Sequence, residues 1–546
     1  MAEAAHGRNG RDALIIGGGH NGLVCAAYLA AAGLKVTVLE RRAVVGGAAV
    51  TEEFHPGFRN SVAAYTVSLL NPKVIRDLEL ARHGLRIVER RCANFLPTDD
   101  GRYLMTGGDR TQAEVARFSA RDAARLPEYS ERLDAVADVL RDLVLTTPPN
   151  ALEGSWRAAL PELIKAARVG GRLRRLDMNL RRELLALFAM SAGDYLNNWF
   201  ESEPLKAVFG FDGIVGNYAS PYSPGSAYVL LHHVFGEVNG KRGAWGHAIG
   251  GMGAITQAMA KAAVARGAQL RVSSAVREVL VEGDRAVGVV TEAGETLRAA
   301  AVISNLNPRL LYLKMFAPQA LPPEFREHIS RWRCGSGTFR MNVALAELPD
   351  FTCLPGKTPA DHHTAGIIIA PTLAYMEQAY FDARTYGWSR RPIVEVVIPS
   401  TLDDTLAPPG QHVASLFCQH VAAELPGGQS WDQQREAVAD LMIDTVNAYA
   451  PNFKAAVLAR QIMSPLDLER TFGLIGGDIS HGVMSLDQLF SARPMLGYGN
   501  YRGPLQGLYM CSAGTHPGGG VTGAPGHNAA REILNDFRRG RLRRAA

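Results

Sequence analysis

The sequence of 546 residues predicts an α/β fold in which a Rossmann-like nucleotide-binding domain carries an inserted α+β domain. Three sequence blocks lead to this prediction, and each combines glycines with short apolar runs. They are a strand, glycine turn, helix and strand over residues 12–40, a helix and short strands over residues 243–308, and a strand, glycine turn and helix over residues 507–534. A parallel sheet flanked by helices accommodates all three blocks.

The first block has the fingerprint of a dinucleotide-binding turn. Residues 13–16 are an apolar run suited to a buried parallel strand, and Gly17, Gly19 and Gly22 follow at the spacing G-x-G-x-x-G. In this pattern the glycines provide a tight turn, a close approach of the backbone to a pyrophosphate, and close packing of the helix on the strand.

A helix and a second strand complete the first block. Small residues over 23–32 predict the helix, Gly33 ends it, and residues 35–39 predict a buried strand. The helix directs its N-terminal amides at the phosphates. Glu40 closes the strand at the distance at which a carboxylate binds the ribose hydroxyls.

The residues after Glu40 favour a flavin over a nicotinamide. Gly46 and Gly47 follow at a fixed spacing, and they let the backbone pass close to a large planar group or a phosphate. Arg41 or Arg42 can neutralise charge nearby. The sequence therefore predicts FAD as the cofactor.

The other two blocks extend this nucleotide-binding unit. In the middle block, glycines open a helix over residues 254–266, and apolar runs predict strands over residues 269–272, 276–281, 286–290 and 300–303. In the last block, a strand over residues 508–511 leads through a glycine-rich turn into a helix from about residue 521. The positive N-terminus of that helix would stabilise a flavin ring that becomes anionic on reduction.

Composition and charge exclude several classes of protein. Hydrophobic residues make up 47% and charged residues 20% of the chain, as in ordinary globular proteins, and the net charge of +5 argues against a nucleic-acid partner. The six cysteines form no close pair, which argues against a disulfide reductase and a zinc site, so no metal is predicted. The first eleven residues have no apolar core of a signal peptide, so a cytoplasmic location is expected, with the mitochondrial matrix an alternative only in a eukaryote.

Two arginine-rich segments leave contact with a membrane open. They lie at residues 168–182 and 538–544, and either could bind anionic lipid or be a solvated surface. The first lies among helical patterns at residues 160–167 and 180–190, which predict either a lid that touches a membrane or a packed helical subdomain. The oligomeric state is left open.

The three blocks together resemble one flavoprotein superfamily. GGGHNG with Glu40 and Gly46-Gly47, WGHAIGGMGAI through VISNLNP, and AGTHPGGG are similar to the phytoene desaturase and carotenoid isomerase group of FAD-dependent oxidoreductases, relatives of the monoamine oxidases. The wording GGGHNGLV, GGDISHG and VTGAPGHNAA most resembles the branch called pyridine nucleotide-disulphide oxidoreductase domain-containing protein 2. This resemblance implies an FAD-binding domain of the amine-oxidase type.

We assign three discontinuous segments to the FAD-binding domain, residues 1–70, 241–308 and 500–546. Residues 71–240 and 309–499 are then expected to build the substrate domain, with a helical subdomain at about residues 110–205. The sequence departs from the superfamily at two places near the flavin. It has GGGVTGAPG where bacterial phytoene desaturases have GAGIPG, and Gly246-His247 where they have Tyr-Pro. Carotene desaturation, the activity of those desaturases, is therefore not predicted for this protein.

The predicted site residues fall into three sets. Those expected to bind FAD are Gly17, Gly19, Asn21, Gly22, Glu40, Arg41, Gly46, Gly47, Val276, Gly514, Gly520 and Val521. The catalytic candidates are His516, His247 and His481. Candidates for the substrate pocket are Asn217, Tyr218, Tyr222, His232, His233 and Trp245.

The leading hypothesis is an FAD-dependent dehydrogenase or desaturase of a small apolar, isoprenoid-like or lipid-like substrate. Hydride would pass from a substrate carbon to flavin N5, and oxygen or a quinone would reoxidise the cofactor, since no nicotinamide site is visible. The alternatives are a flavin amine oxidase, a redox-neutral isomerase or saturase that uses reduced FAD, and a non-catalytic FAD protein that acts through a partner. An aromatic cage in the pocket would favour the amine oxidase.

Overall fold

The computed structural model describes residues 10–150 and 156–544, without the side chains of residues 156–159, 161, 172 and 175. The strands are β1 (Arg11–Ile16), β2 (Val36–Leu39), β3 (Thr51–His55), β4 (Phe58–Ser61), β5 (Ile87–Glu89), β6 (Asn94–Pro97), β7 (Tyr103–Thr106), β8 (Glu237–Val238), β9 (Lys241–Arg242), β10 (Gly246–Ala248), β11 (Gln269–Arg271), β12 (Val276–Glu282), β13 (Arg285–Thr291), β14 (Thr296–Ser304), β15 (Thr338–Leu345), β16 (Gly366–Ile369), β17 (Trp388–Val397), β18 (His412–Val421), β19 (Val457–Met463) and β20 (Leu508–Met510).

Helices connect and cover these strands. They are α1 (His20–Ala31), α2 (Pro72–Asp77), α3 (Thr111–Ala116), α4 (Ala120–Val144), α5 (Trp156–Arg175), α6 (Met178–Ala189), α7 (Ala192–Trp199), α8 (Glu203–Ile214), α9 (Ser226–Val234), α10 (Met252–Ala265), α11 (Pro308–Lys314), α12 (Pro323–Ser330), α13 (Leu373–Tyr386), α14 (Trp431–Asn447), α15 (Phe453–Ala456), α16 (Pro465–Phe472) and α17 (Ala524–Arg538). In this described part of the chain, no helix is both long and apolar enough to cross a membrane.

The first of two large sheets is the predicted nucleotide-binding sheet. Its strands run in the order β11-β2-β1-β14-β13-β12, and β20 adds to β14. The strands β11, β2, β1, β14 and β20 pair in parallel, which brings their C-terminal ends to one edge of the sheet. The glycine turn after β1 and the loop after β20 therefore lie at the same edge, where open α/β sheets bind ligands.

Helices α1, α10 and α17 cover one face of this sheet with small and branched apolar side chains. The α17 helix begins at Ala524, a few residues later than predicted, because Thr522 and Gly523 still form the turn. Two further segments pack with this unit, after residue 70 and after residue 308. Val74, Leu78 and Leu80 join its core after residue 70, and α11 and α12 pack on strands β12 to β14 after residue 308.

The second large sheet belongs to the remaining segments. It has the order β19-β15-β18-β17-β16-β6-β7 and is antiparallel except at the β16–β6 pair. Helices α4, α6 to α9 and α13 bury one face of this sheet, and α14 buries the other. The helical region thus runs on to Val234, beyond the subdomain expected at about residues 110–205.

Candidate active site

A cavity of about 710 Å³ joins the loops of the first sheet to the second sheet. Gly17, Gly19 and Glu40 line it at the nucleotide-binding edge, and Glu395 and Phe417 line it on strands of the second sheet. One continuous space therefore adjoins both the predicted cofactor loops and the predicted substrate domain. Pockets at this place in α/β folds are where ligands bind.

The three fingerprint glycines are required by close packing. Gly17 has a positive φ of +95° at the turn, and a Cβ on Gly22 would lie 2.4 Å from the carbonyl oxygen of Gly17. A Cβ on Gly19 would lie 2.6 Å from the side-chain nitrogen of Asn305, at the end of β14. Gly22 consequently holds the helix against the turn, and Gly17 and Gly19 form the wall of the cavity.

Glu40 is held at the end of β2 by backbone amides. Its Oε2 accepts a hydrogen bond from the Gly18 amide at 2.8 Å, and its Oε1 accepts one from the Arg42 amide at 2.9 Å. These bonds orient the carboxylate, which lines the cavity, and each oxygen keeps capacity for a further donor such as a hydroxyl. The predicted role in binding a ribose is compatible with this geometry.

The side chain of Asn21 supports a bound cofactor independently. It is 1% exposed and lines the cavity, yet neither its Nδ2 nor its Oδ1 has a hydrogen-bond partner in the described part of the chain. Buried amides are normally hydrogen-bonded, so an unpaired one at the N-terminus of α1 fits a polar ligand. The residues present therefore fit a dinucleotide such as FAD.

The second glycine loop reaches the same cavity. Gly520 has a φ of +95°, and a Cβ there would lie 2.7 Å from the side chain of Leu69. Gly520 and Val521 line the cavity, whereas Gly514 packs against Pro308 and does not.

The predicted FAD-binding residues divide accordingly into two groups. Those that line the cavity are Gly17, Gly19, Asn21, Glu40, Arg41, Gly47, Val276, Gly520 and Val521. Gly22, Gly46 and Gly514 lie behind it and support its wall through packing.

Of the three catalytic candidates, His481 lines the cavity. It lies in a loop with a positive φ of +58°, and its backbone oxygen accepts a hydrogen bond from the Trp332 indole at 2.9 Å. Burial lowers the pKa of His481 to about 3, and the nearby charge of Arg493 acts in the same direction. The imidazole is therefore neutral at physiological pH, and its Nδ1 has no partner among the described residues.

The other two catalytic candidates lie outside the lining of the cavity. His247 does not line the cavity, because its Nε2 is 3.0 Å from Oδ2 of the buried Asp403, which also accepts from the Gly250 amide at 2.7 Å. His516 is 3% exposed and turns away from the cavity, with its Nε2 3.0 Å from the carbonyl oxygen of Leu143 at the end of α4. Both histidines hold segments together.

Four of the six pocket candidates line the cavity: Asn217, His232, His233 and Trp245. The rings of His233 and Trp245 stack with their centroids 6.1 Å apart. Tyr218 instead packs against Tyr380 and His420, and Tyr222 lies over Gly193. The two tyrosines therefore build no aromatic cage around this cavity.

Several lining residues were missed by sequence reasoning. His20 lies inside the GGGHNG fingerprint, and this position beside the glycines could have marked it as a residue of the cavity. Burial lowers its pKa to about 4. Arg90, Asp212 and Glu395 line the cavity from distant segments, and no local pattern marks them.

Two cysteines that are far apart in sequence meet in the core. Burial raises the pKa of the Cys25 thiol, and a hydrogen bond with Cys511 adds to this shift. Both thiols are fully buried between α1 and the end of β20, and neither lines the cavity. The pair is therefore not placed to exchange electrons with a group bound there.

The fold and this site define a dinucleotide-binding protein, and comparison with known proteins identifies its class. The family model described as flavin containing amine oxidoreductase matches residues 22–339. The chain belongs to this family and is an FAD-dependent oxidoreductase. The predicted cofactor and the predicted superfamily are thereby confirmed.

Similar proteins cover nearly the whole chain. A rat protein named pyridine nucleotide-disulfide oxidoreductase domain-containing protein 2 is 42% identical over 96% of this chain and 94% of its own. A limonene dehydrogenase polypeptide of Castellaniella defragrans is 25% identical over 96% and 95%. A lycopene-forming phytoene desaturase from a Paracoccus species is 24% identical over 98% and 99%.

A solved structure confirms the predicted fold class. A triple mutant of putrescine oxidase superposes with a TM-score of 0.59 at 16% identity, covering 97% of this chain and 99% of the other. At this level of identity the likeness concerns the fold, which is the amine-oxidase-type FAD-binding fold.

Proposed function

We propose that the protein is a dehydrogenase that oxidises a carbon–hydrogen bond of a largely apolar substrate held in the 710 Å³ cavity. The continuity of this cavity is the observation that carries the proposal. The same space meets the cofactor loops at Gly19 and Gly520 and continues past apolar and aromatic side chains such as Phe211, Val215 and Phe417. A substrate seated there lies next to the cofactor.

The residues that line the cavity position the substrate, and their apolar side chains exclude water from it. FAD, when bound, provides a two-electron acceptor at N5. Oxidation of the substrate would send a hydride to that acceptor and a proton to water or a nearby base, and oxygen or a quinone would take the two electrons onward. Helices α8 and α9, which pack over the second sheet, line the cavity with residues such as Phe211 and Val229, and His481 contributes a neutral imidazole to its wall.

The relatives support an apolar substrate. The names of two of them include limonene and phytoene, both apolar molecules. The family name and the putrescine oxidase likeness are equally compatible with oxidation next to a nitrogen. Tyr218 and Tyr222 lie outside the cavity lining, so the aromatic cage considered for an amine has no support from these two residues.

Anaerobic mixing of the purified holoenzyme with candidate substrates tests the proposal. Bleaching of oxidised flavin by terpenoid or lipid-like compounds, but not by primary or secondary amines, is the expected result. Bleaching by amines alone would replace the proposal with an amine oxidase. Turnover that occurs only after prior reduction of the flavin would replace it with a redox-neutral isomerase or saturase. If no substrate reduces the flavin, a non-catalytic role would replace the proposal.

A further inference from the structure

Ionisable side chains gather where the cavity borders the second sheet. Arg90 directly follows β5, Asp212 lies on α8, and Glu395 lies on β17. All three line the cavity, together with Tyr65 and Asn94. A pocket for a pure hydrocarbon needs no such groups, whereas pockets place a few polar groups where they fix a polar part of the ligand.

Glu395 is the carboxyl of this group that has partners. It is 6% exposed, and its Oε2 accepts a hydrogen bond from the Tyr65 hydroxyl. Burial raises its pKa, while the charges of Arg90 and Arg340 oppose that shift. Glu395 can therefore balance at most one of the two guanidinium charges.

The two arginines retain unused donors. Arg340 is 1% exposed and lies 4.3 Å from the centroid of the Tyr65 ring, and its Nε and Nη1 have no hydrogen-bond partner in the described part of the chain. Arg90 donates from Nη2 to the Thr66 hydroxyl at 2.6 Å, but its Nε is buried without a partner there. Buried charge without a partner is costly, so a surplus of positive charge at this end calls for an anion.

Asp212 does not remove that surplus. Its side chain makes no hydrogen bond with the described residues, and burial, followed by the charge of Glu395, raises its pKa to about 8. At neutral pH the carboxyl is therefore protonated and acts as a hydrogen-bond donor. The other titratable groups that face Asp212 are Tyr129 of α4 and His233 of α9, which contacts its backbone.

We propose that the substrate carries a carboxylate, which Arg90 and Asp212 bind at this end of the cavity while Arg340 adds positive charge from behind the Tyr65 ring. The inference deepens the proposed function and rests on it, since it names the polar group of an otherwise apolar substrate. A carboxylate can accept hydrogen bonds from a guanidinium group and from a protonated carboxyl, whereas an ammonium group would place a third positive charge beside two guanidinium groups.

Calorimetric titration of the holoenzyme with three ligands of one chain length tests this assignment: a medium-chain fatty acid, the corresponding alcohol and the corresponding amine. We expect the acid to bind about tenfold or more tightly than the alcohol at pH 7, because charge-assisted hydrogen bonds are worth about 1.5–3 kcal/mol. Arg90→Gln removes this preference and leaves the alcohol unaffected. Arg121→Gln, which removes an exposed arginine paired with Glu201, is the matched control and keeps the preference.

The pH dependence of binding examines Asp212 separately. Affinity for the acid should fall as the pH rises through about 8, because Asp212 ionises and repels the carboxylate. Asp212→Asn keeps a neutral donor, so its affinity for the acid should be high and independent of pH over this range. This arm remains decisive if Arg90→Gln fails to fold, as judged by flavin content and melting temperature.

Equal or tighter binding of the alcohol or the amine would overturn the carboxylate assignment, as would a pH dependence that Asp212→Asn leaves unchanged. The two proposals fail in different ways. Rapid flavin bleaching by substrates without a carboxylate would support the dehydrogenase activity and contradict the carboxylate-binding site. Tight binding of acids without flavin reduction by any acid, terpenoid or lipid would support the carboxylate-binding site and contradict the dehydrogenase activity.

Discussion

Gly22 shows how one residue controls the cofactor site. A methyl group at Gly22 would lie 2.4 Å from the backbone oxygen of Gly17. Because this oxygen belongs to the backbone, it cannot move aside as the end of a flexible side chain could. Gly22→Ala should therefore push α1 away from the turn and abolish most FAD binding. The flavin absorbance of the purified protein, relative to its protein content, measures this effect.

The matched control is Gly33, at the other end of the same helix. Gly33 has a φ of +78°, and a Cβ added there would have nothing within 4 Å of it. Asparagine tolerates this conformation, so Gly33→Asn should cost less than about 1 kcal/mol and keep the flavin. Full flavin content in Gly22→Ala would contradict the packing role.

The contact between His247 and Asp403 predicts a structural effect. Burial raises the pKa of Asp403, but hydrogen bonds from His247, Thr405 and Gly250 outweigh it and lower that pKa to about 2. His247→Leu leaves the buried carboxylate without one donor and should reduce the free energy of unfolding by about 1–3 kcal/mol. Denaturant unfolding measures the loss, and the flavin-reduction rate of the folded variant should stay near that of the wild type. A large rate loss without a stability loss would restore His247 as a catalytic candidate.

Local sequence predicted the cofactor loops because their requirements are local. Gly17, Gly22 and Glu40 act within one strand, turn, helix and strand unit. The loop position of His516 favours a catalytic role, and the glycines Gly250 and Gly251, which the resemblance places near the flavin, favour one for His247. Their partners, Asp403 and Leu143, are distant in sequence, so the competing structural contacts could not be read from the chain.

Among the elements, those of the first sheet were predicted best. The helix expected over residues 254–266 is Met252–Ala265, and the strand expected over residues 276–281 is Val276–Glu282. Apolar runs between glycines set these bounds. The strand order of the second sheet could not be predicted from the sequence. Neighbouring strands such as β15 and β18 are far apart in the sequence, so their order depends on tertiary packing.

Helices α5 and α6 present a surface that leads to a third prediction. Several of their large apolar side chains are exposed: Leu160, Leu163, Ile164, Met178 and Leu185. Exposed arginines accompany them, namely Arg168, Arg174 and Arg182. Of the predicted basic cluster, the side chains of Arg172 and Arg175 lie outside the described residues. Apolar and cationic groups together complement an anionic lipid surface, so we expect binding to vesicles that contain phosphatidylserine.

Cosedimentation with vesicles measures this contact. The double variant Leu163→Glu, Leu185→Glu should bind at least about tenfold more weakly, since each leucine loses roughly 1.5 kcal/mol or more of apolar burial and gains a repelling charge. Leu458→Glu alters an exposed leucine on β19 and serves as the matched control. Binding that is equal with neutral vesicles, or unchanged in the double variant, would show that α5 and α6 are an ordinary solvated surface.

In the whole molecule, the two sheets meet around one cavity, and several histidines in its wall and in the surrounding interior are neutral. Burial lowers the pKa of His232, His420 and His481 to about 3, and of His20 and His516 to about 4. An unfolded histidine titrates near pH 6.5. Below that pH the unfolded chain binds protons that the folded chain refuses, so these residues lower the stability as the pH falls from about 6.5 to 4.

Acid should therefore destabilise the protein well before its carboxylates titrate. The acids Asp212, Glu395 and Asp478 have raised pKa values and act in the opposite direction, but the histidines with lowered pKa values outnumber them. His420→Leu isolates the effect, because this residue packs against Tyr218 and Tyr380 and does not line the cavity. Denaturant unfolding between pH 7 and pH 5 should show the wild type losing stability more steeply than His420→Leu, by up to roughly 1.4 kcal/mol per pH unit for one histidine. Parallel slopes for the two proteins would mean that His420 takes up its proton in the folded state, so its burial would not keep it neutral.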